Sequence, residues 1–487
     1  MFFFGCSRII YTELAGNFEY ERDKLFLQSL FNENEEIKSL GIRLLPNEVS
    51  GKKSKPPAPS FIIEARYFWE KDADTDLIII SRTPVIPRED SLAGRTNTSL
   101  ASCLEGDEVL IILEELEPPF VALRVDNLAI GDPDYPLIRM GGINITAQND
   151  KKRLVKKMHR IKEIIEAAEN PLVSYTPQPF WITAGGDMML GRGATEVLQR
   201  EGAKGLFGGT AELILSSHLA MATLEGVISN RGERVPKSFN FRFSPAVAPM
   251  LKAAGFDVLL HANNHVFDYG ETAFLDSLNY LKDAGIGAAG AGIDIDAAST
   301  PFEMQWENKT VRVFGLASFP RENNGWDGVN AAALENRAGM LHAGRQGAEM
   351  IKQKMNNYKE PSFNIILFHG GAEWSNRPDN NTRQLYTDLI RNGADLIIGS
   401  HPHIVQGFEW VDGKPVFWSL GNFVFSGMQN TGGGDEGLFV RLGFWEGKLL
   451  YLEPFALAVS NPKVSITPPE KLGTFYTRSR QLRQISQ

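Results

Sequence analysis

The sequence predicts an α/β protein, a layered sheet sandwich with flanking helices, preceded by an α+β accessory domain. Three observations predict it. From about residue 176, apolar runs of strand length alternate with amphipathic helical segments. The last such runs, PVFWSLGNFVF, GLFVRLGFWEG and KLLYLEPFALAV, follow one another without a helix, as antiparallel strands do. The 487 residues exceed one ordinary domain, and the turn-rich linker NPLVSYTPQP marks a boundary near residue 175. The expected domains are therefore 1–175 and 176–487.

In the accessory domain, FLQSLFNENEEIKSL has helical spacing and GKKSKPPAPS is a polar, Pro-rich loop. FIIEARYFW, TDLIIISRTPVI and DEVLIILEEL read as strands, and PPFVALRVDNLAIGDPDYPLIRM as turn-rich, extended chain. In KKRLVKKMHRIKEIIEAAEN, Leu154, Met158, Ile161 and Ile165 share one helical stripe with charge elsewhere. This part holds one histidine, His159, and no catalytic constellation.

The second part alternates. FWITAGG is a strand ending at Asp187, TAELILSSH a helix, and LAMATLE a strand ending at Glu225. SPAVAPMLKAAG is a helix, and FDVLLHANNH a strand ending at Asn264 and His265. ETAFLDSLNYLKDAG is a helix closed by Gly285, followed by the strands IGAAGAG and VRVFGLAS. GRQGAEMIKQKMNNY and NTRQLYTDLIRNGAD are helices, each leading into a strand: FNIILFHGG, then LIIGSHPH.

Composition narrows the function. A formal charge of −9 argues against a nucleic-acid binder but leaves an anionic substrate open, because a bound metal's charge overrides net charge locally. No run approaches the roughly 18 apolar residues of a membrane span. Cys6 and Cys103 make neither a disulfide framework nor a Cys-based zinc site. MFFFGCS resembles the end of a bacterial lipoprotein signal, so Cys6 is either a lipid-bearing residue of an envelope protein or a buried cysteine of a first strand.

Ionisable side chains recur at the ends of the strands, where ligands bind in open α/β sheets. They are Asp187, Glu225, Asn264 with His265, His369, and His401 with His403. Five of the eight histidines lie at or beside these ends, and Asn422 should project toward the same crevice. Imidazole with carboxylate suits a divalent transition metal, manganese, zinc or iron, rather than magnesium or calcium. In GSHPH, Pro402 stiffens a turn in which both imidazoles can face one ion.

The set GGDMMLGRG, TLEGVIS, FDVLLHANNHVFDYG, ILFHGGAEW, NGADLIIGSHPHIVQG and PVFWSLGNFVF resembles the CapA-type capsule synthesis family, linked to bacterial poly-γ-glutamate capsules. The domain of that family resembles the calcineurin-like metallophosphoesterases. The resemblance spans about residues 180 to 426 and implies a metallophosphoesterase-like fold. It implies metal ligation by Asp187, Glu225, Asn264, His369, His401 and His403, and a general acid at His265. Three departures stand out. The superfamily's first motif, Asp-x-His, reads Asp187-Met188-Met189; Thr223 stands where Asn is usual; and His369-Gly370-Gly371 stands where His-Trp-Gly is usual. The first leaves one metal short of an imidazole, so one or two ions are expected.

The expected function is metal-dependent hydrolysis or transfer at phosphoester or amide bonds of an anionic substrate, such as an envelope polymer. Capsule-synthesis membrane partners follow from the resemblance. Two ions about 3.5–4 Å apart clamp developing charge in such reactions. Asp268 is placed to orient His265. Arg192 and Arg242 each read equally as an anion contact or a surface salt bridge, and Glu373 and Asn422 complete the expected substrate contacts. The alternative functions are a non-catalytic assembly protein that binds capsule polymer through a vestigial metal site, and a plain binding protein.

Overall fold

A computed structural model describes residues 10–486 except 16–20, 40–41, 45–60, 70–77, 94, 106–107, 113–115, 131, 133–134, 149–150, 169–176 and 322–325. Cys6 lies outside the described residues. The chain divides into two compact units, 1–88 with 97–116 and 123–178, and 89–96 with 117–122 and 179–487. Among the described residues, no helix is long and apolar enough to cross a membrane.

The first unit is built on a sheet that runs in the order Ile42–Leu44, Ile10–Ala15, Phe61–Trp69, Ile138–Ala147, Ile78–Asp90, Leu110–Ile112. The helices Glu21–Glu33 and Lys152–Ala167 supply its core, in which Leu27, Phe31, Ile63, Ile143, Ile145, Ile161 and Ile165 are buried. Leu154 and Met158 pack against the same cluster, so the amphipathic stripe of the second helix faces as its spacing predicts.

The second unit carries two sheets. Its strands are numbered here from β1 at Phe180–Met188. β2 is Leu219–Leu224, β3 Val258–Leu260, β4 Gly287–Ala289, β5 Phe302–Trp306 and β6 Lys309–Ser318. β7 is Ser362–Gly370, β8 Leu396–Ser400, β9 Val405–Val411, β10 Lys414–Leu420 and β11 Asn422–Val424. β12 is Glu436–Trp445, β13 Lys448–Ser460 and β14 Lys463–Ile466. The short two-residue strands are left unnumbered.

The first sheet runs β4-β3-β2-β1-β12-β13-β14, with β11 also paired to β1. Its β4-to-β1 half is parallel and its β12-to-β14 half antiparallel. The second sheet runs β5-β6-β7-β8-β10-β9, with parallel pairing from β6 to β10. One core fills the space between the sheets. Ile182, Met221, Val258 and Leu260 from the first meet Val313, Ile365, Leu367, Ile398 and Phe417 from the second. Each outer face is covered by helices. Ala194–Phe207, Thr210–Leu215 and Val247–Ala253 pack on the first sheet, and Gly347–Asn357 and Asn380–Arg391 on the second. The central strands β1, β2, β3 and β8 are buried along their whole length, which is why they read as continuous apolar runs rather than alternating ones.

Three elements differ from the sequence reading. The strand ending in FDVLLHANNH stops at Leu260, and Asn264 and His265 lie in the turn beyond it. A helix spans Ala194–Phe207, where none is legible, with Gly202 at φ 69° as a kink inside it. A last helix, Gly473–Ser486, follows the antiparallel strands and buries Phe475, Tyr476, Ser479 and Leu482.

Candidate metal centre

The parallel strands β1, β2, β3, β7 and β8 all present their carboxyl ends to one place. Gly186 lets them converge, because a Cβ there would lie 1.9 Å from the Gly421 carbonyl oxygen. That close approach pairs β11 with β1 and puts Asn422 beside Asp187.

Asp187 is fully buried near the end of β1. Its Oδ2 accepts a hydrogen bond from the His401 backbone N–H at 3.0 Å. His369 Nδ1 lies 3.4 Å from Oδ1, and His403 Nδ1 lies 3.5 Å from Oδ2. Glu225, just past β2, is equally buried, with His403 Nε2 3.8 Å and His265 Nε2 3.5 Å from its Oε1. Candidate ligand atoms of Asp187, Glu225 and His369 all fall within 4.8 Å of one another. His369 Nε2 is 3.0 Å from Asn264 Oδ1 and 3.0 Å from His401 Nδ1.

These residues fit a cation. Asp187 Oδ1 and both oxygens of Glu225 are buried and accept no hydrogen bond among the described residues. A buried unpaired carboxylate costs several kcal/mol, a large part of the roughly 5–15 kcal/mol that stabilises a domain, so a positive charge is what balances the pair. Ligand atoms bonded to one ion at about 2.1 Å sit roughly 3 Å apart, which is the spacing around His369 Nε2. Burial pushes the Asp187 carboxyl up, and burial together with the Asp187 charge pushes Glu225 well above the usual carboxylate range. Burial holds His369 and His401 well below the ordinary imidazole value and lowers His403, against the pull of Asp187. Neutral imidazole is the form that ligates.

A second layer of contacts orients the ligands. Ser400 Oγ stands 3.1 Å from His369 Nδ1 and 2.7 Å from Thr223 Oγ1. Thr223, on β2 and the second of the three departures, therefore carries a hydrogen bond that holds Ser400 in place. Asn422 Oδ1 is 2.9 Å from His403 Nδ1, and its amide donates to the Gly434 carbonyl at 2.7 Å. His401 and His403 have φ of 98° and 57°, a left-handed strain that the turn at Pro402 keeps. Gly370 replaces the bulky residue usual after the histidine because a Cβ there would lie 1.8 Å from the Ser318 carbonyl oxygen. Met189 is fully buried in an apolar cluster with Leu190, Phe243 and Phe425, and its sulfur accepts from the Gly191 N–H at 3.1 Å, so a thioether stands where the superfamily's motif has an imidazole.

A cavity of about 290 Å³ opens onto this cluster, lined by Phe239, Asn264, His265, Phe319, Arg321, Glu373 and His401 among others. His265 Nδ1 is 2.6 Å from Asp268 Oδ2, and the ring packs 4.2 Å from Phe241. Asn263 shapes this turn, donating to the Leu224 carbonyl and accepting from the His265 backbone N–H.

The structure thus brings together Asp187, Glu225, Asn264, His265, Asp268, His369, His401, His403 and Asn422, with Glu373 at the cavity wall. Arg192 and Arg242 are exposed and stand outside the described cavity lining. Arg192 donates to the Ser426 carbonyl at 2.7 Å, and Arg242 lies over the Tyr269 ring at 4.1 Å. Asn263, Ser400, Lys237 and Arg321 are site residues that the sequence reading did not single out. Asn263 and Ser400 sit inside quoted motifs, ANNH and GSHPH, so their signal was adjacency to a candidate ligand. Lys237 and Arg321 lie in loops without periodicity.

A family model described as bacterial capsule synthesis protein PGA_cap matches residues 181–427. The chain belongs to this family. The match begins one residue after the start of β1 and ends just after β11, so all six candidate ligands fall within the PGA_cap domain. The chain is 28% identical over 263 residues to PGA biosynthesis protein CapA of Bacillus subtilis, covering 53% of this chain and 67% of that protein. It is 26% identical over 254 residues to capsule biosynthesis protein CapA of Bacillus anthracis, covering 50% of this chain and 59% of that protein. Among solved structures, a novel phosphatase from Mycoplasma pneumoniae aligns with 10% identity and a TM-score of 0.37, over 62% of this chain and all of that one. A score at that level carries no argument about the site.

Proposed function

We propose that the PGA_cap domain is a metal-dependent hydrolase or transferase acting on phosphoester or amide bonds of an anionic substrate in capsule polymer synthesis. The observation that carries the reading is the buried pair Asp187 and Glu225, with three unpartnered oxygens, beside imidazoles held neutral by burial. Kinship with proteins named for capsule and PGA biosynthesis supports the substrate class. An extracytoplasmic, envelope location belongs to the same proposal.

Asn264, His369 and His401 would hold one ion, and Asp187, Glu225 and His403 a second. When bound, the metal supplies Lewis-acid polarisation of the reacting phosphoryl or acyl oxygen. His265 borders the cavity and donates a proton to the leaving group from Nε2, while Asp268 fixes the ring through Nδ1. Phe239 and Phe319 line the cavity beside His265. Arg321, at the cavity wall, meets an anionic group of the substrate.

A second reading, a non-catalytic assembly protein that binds polymer, is favoured by one observation: Met189 fills an apolar cluster where the superfamily's motif has an imidazole, so His403 is the imidazole that stands near both Asp187 and Glu225. Elemental analysis combined with a screen of phosphoesters and γ-glutamyl amides separates the two. Bound metal with turnover of either class supports the enzyme. Bound metal or none, with polymer binding and no turnover across both classes, supports assembly.

A further inference from the structure

The Lys237 side chain is 1% exposed, a rare state for lysine unless its charge is matched. Its Nζ donates to the Asn264 backbone carbonyl at 2.6 Å and to Asp268 Oδ1 at 3.0 Å, and lies 4.2 Å from the Trp326 ring centre. Asp268 is fully buried, and its other oxygen, Oδ2, accepts from the Phe241 N–H at 2.6 Å and meets His265 Nδ1. One ammonium therefore ties both ends of the turn from Asn264 to Asp268. At one end is the residue whose amide oxygen faces His369; at the other is the carboxylate that holds His265.

We propose that Lys237 is a positioning residue for His265, acting through Asp268. The inference rests on the hydrolase or transferase reading of the site. Lys237 occupies Oδ1, which turns Oδ2 toward the imidazole. A carboxylate so aimed keeps the proton on Nδ1 and leaves Nε2, 3.5 Å from Glu225 Oε1, as the nitrogen on the side of the candidate ligands, because the partner of one ring nitrogen sets the state of the other. The hydrogen bond to the Asn264 carbonyl anchors the ammonium where it reaches Oδ1. Nothing in the loop around Lys237 marks it in sequence, since the contact forms only when residues 235–241 wrap the Asp268 carboxylate and backbone.

The test uses the full chain as Lys237→Met, Lys237→Arg, Asp268→Asn and the double variant Lys237→Met/Asp268→Asn. Phosphate monoesters with good and poor leaving groups are turned over by metal-loaded protein. Selective ¹⁵N-histidine spectra of metal-free protein, with the His265 signals assigned through His265→Gln, report the tautomer. Lys237→Met is expected to keep its metal, to lose about 10–100-fold on the poor leaving group, as outer-shell partners do, and to lose little on the good one. Its His265 signals should move away from the Nδ1–H pattern, and Lys237→Arg should restore part of both. The double variant should be no worse than Asp268→Asn alone, because both residues act through one contact. Equal losses for both leaving groups with unchanged His265 signals, or additive losses in the double variant, would overturn the proposal. Should Lys237→Met not fold, the double variant removes both charges, and its comparison with Asp268→Asn decides the question. Should wild type turn over no ester, the functional reading fails, while the ¹⁵N spectra still decide the role of Lys237.

Discussion

On one side of the buried cluster, Asn264 Oδ1 and His401 Nδ1 each sit 3.0 Å from His369 Nε2. On the other, His403 stands 3.5 Å from Asp187 Oδ2 and 3.8 Å from Glu225 Oε1. The first side is a gathered set of neutral donors. The second is rich in carboxylate oxygens, and Met189 stands in sequence where the superfamily's motif has a further imidazole. The difference teaches that affinity and charge are divided in this site. On the proposed reading, the imidazole side would define where an ion is gripped, and the carboxylate side how much positive charge the fold needs there.

The largest expected effect tests that division directly. His369→Ala should lower metal affinity by more than the roughly 10–100-fold that loss of an outer-shell partner brings, and His403→Ala should lower it less. Calorimetric titration of metal into each variant checks the order; the reverse order would break the comparison. His265→Ala comes next. It should keep its metal and lose about 10²–10⁴ in turnover, with the smaller loss on good leaving groups. Steady-state rates on paired esters read this, and a variant that drops its metal would move His265 from acid to ligand.

A pH effect of intermediate size belongs to the ground behind the cluster. His261 is fully buried, stacked on Phe274, and burial lowers its pKa to about 4. Between pH 6.5 and about 4 the unfolded chain binds a proton there that the folded chain refuses. Its contribution to stability is therefore complete above pH 6.5 and lost as pH falls toward 4, by roughly 3 kcal/mol in all. Denaturant melts from pH 8 to pH 4.5 should show a steeper loss in wild type than in His261→Leu. Parallel curves would remove His261 from the account.

The smallest effect sharpens the carboxylate side. Met189→His should restore the superfamily's motif in sequence without restoring a ligand, because Met189 is fully buried in an apolar cluster with its sulfur turned to the Gly191 N–H. It should destabilise the fold by about 1–3 kcal/mol, the cost of burying an unpartnered polar group, and leave the metal stoichiometry unchanged. A gain of bound metal would show that the two sides are closer to equal than their geometry states.

Much of this site was legible because its ligands end buried strands. A run such as FNIILFH has no reason to close on histidine unless that end meets something polar, and Asp187, Glu225, His369 and His401 all follow that pattern. Asn264 and His265 were found through their motif, although β3 stops at Leu260, because a turn leaves no periodic signal. The helix Ala194–Phe207 was hidden by Gly202 and Gly205, which weaken helix propensity and here mark a kink. The helix Gly473–Ser486 was hidden by Ser479, a polar residue at 0% exposure that interrupts the apolar stripe of Phe475, Tyr476 and Leu482. Lys237 was illegible for a different reason. A lysine in a polar loop reads as solvated, and only the fold closes Asn264, Asp268 and Trp326 around it.

The central claim is that the cluster at the strand ends is a metal site, and metal stoichiometry tests it most directly. Purified wild type, stripped with chelator and titrated with manganese, zinc and iron(II) under elemental analysis, should carry at least one ion per chain. The ion should be lost in His369→Ala. Less than about a tenth of an ion on wild type as purified, with no rebinding of any of the three at the affinity of a nitrogen–oxygen site, would contradict the account.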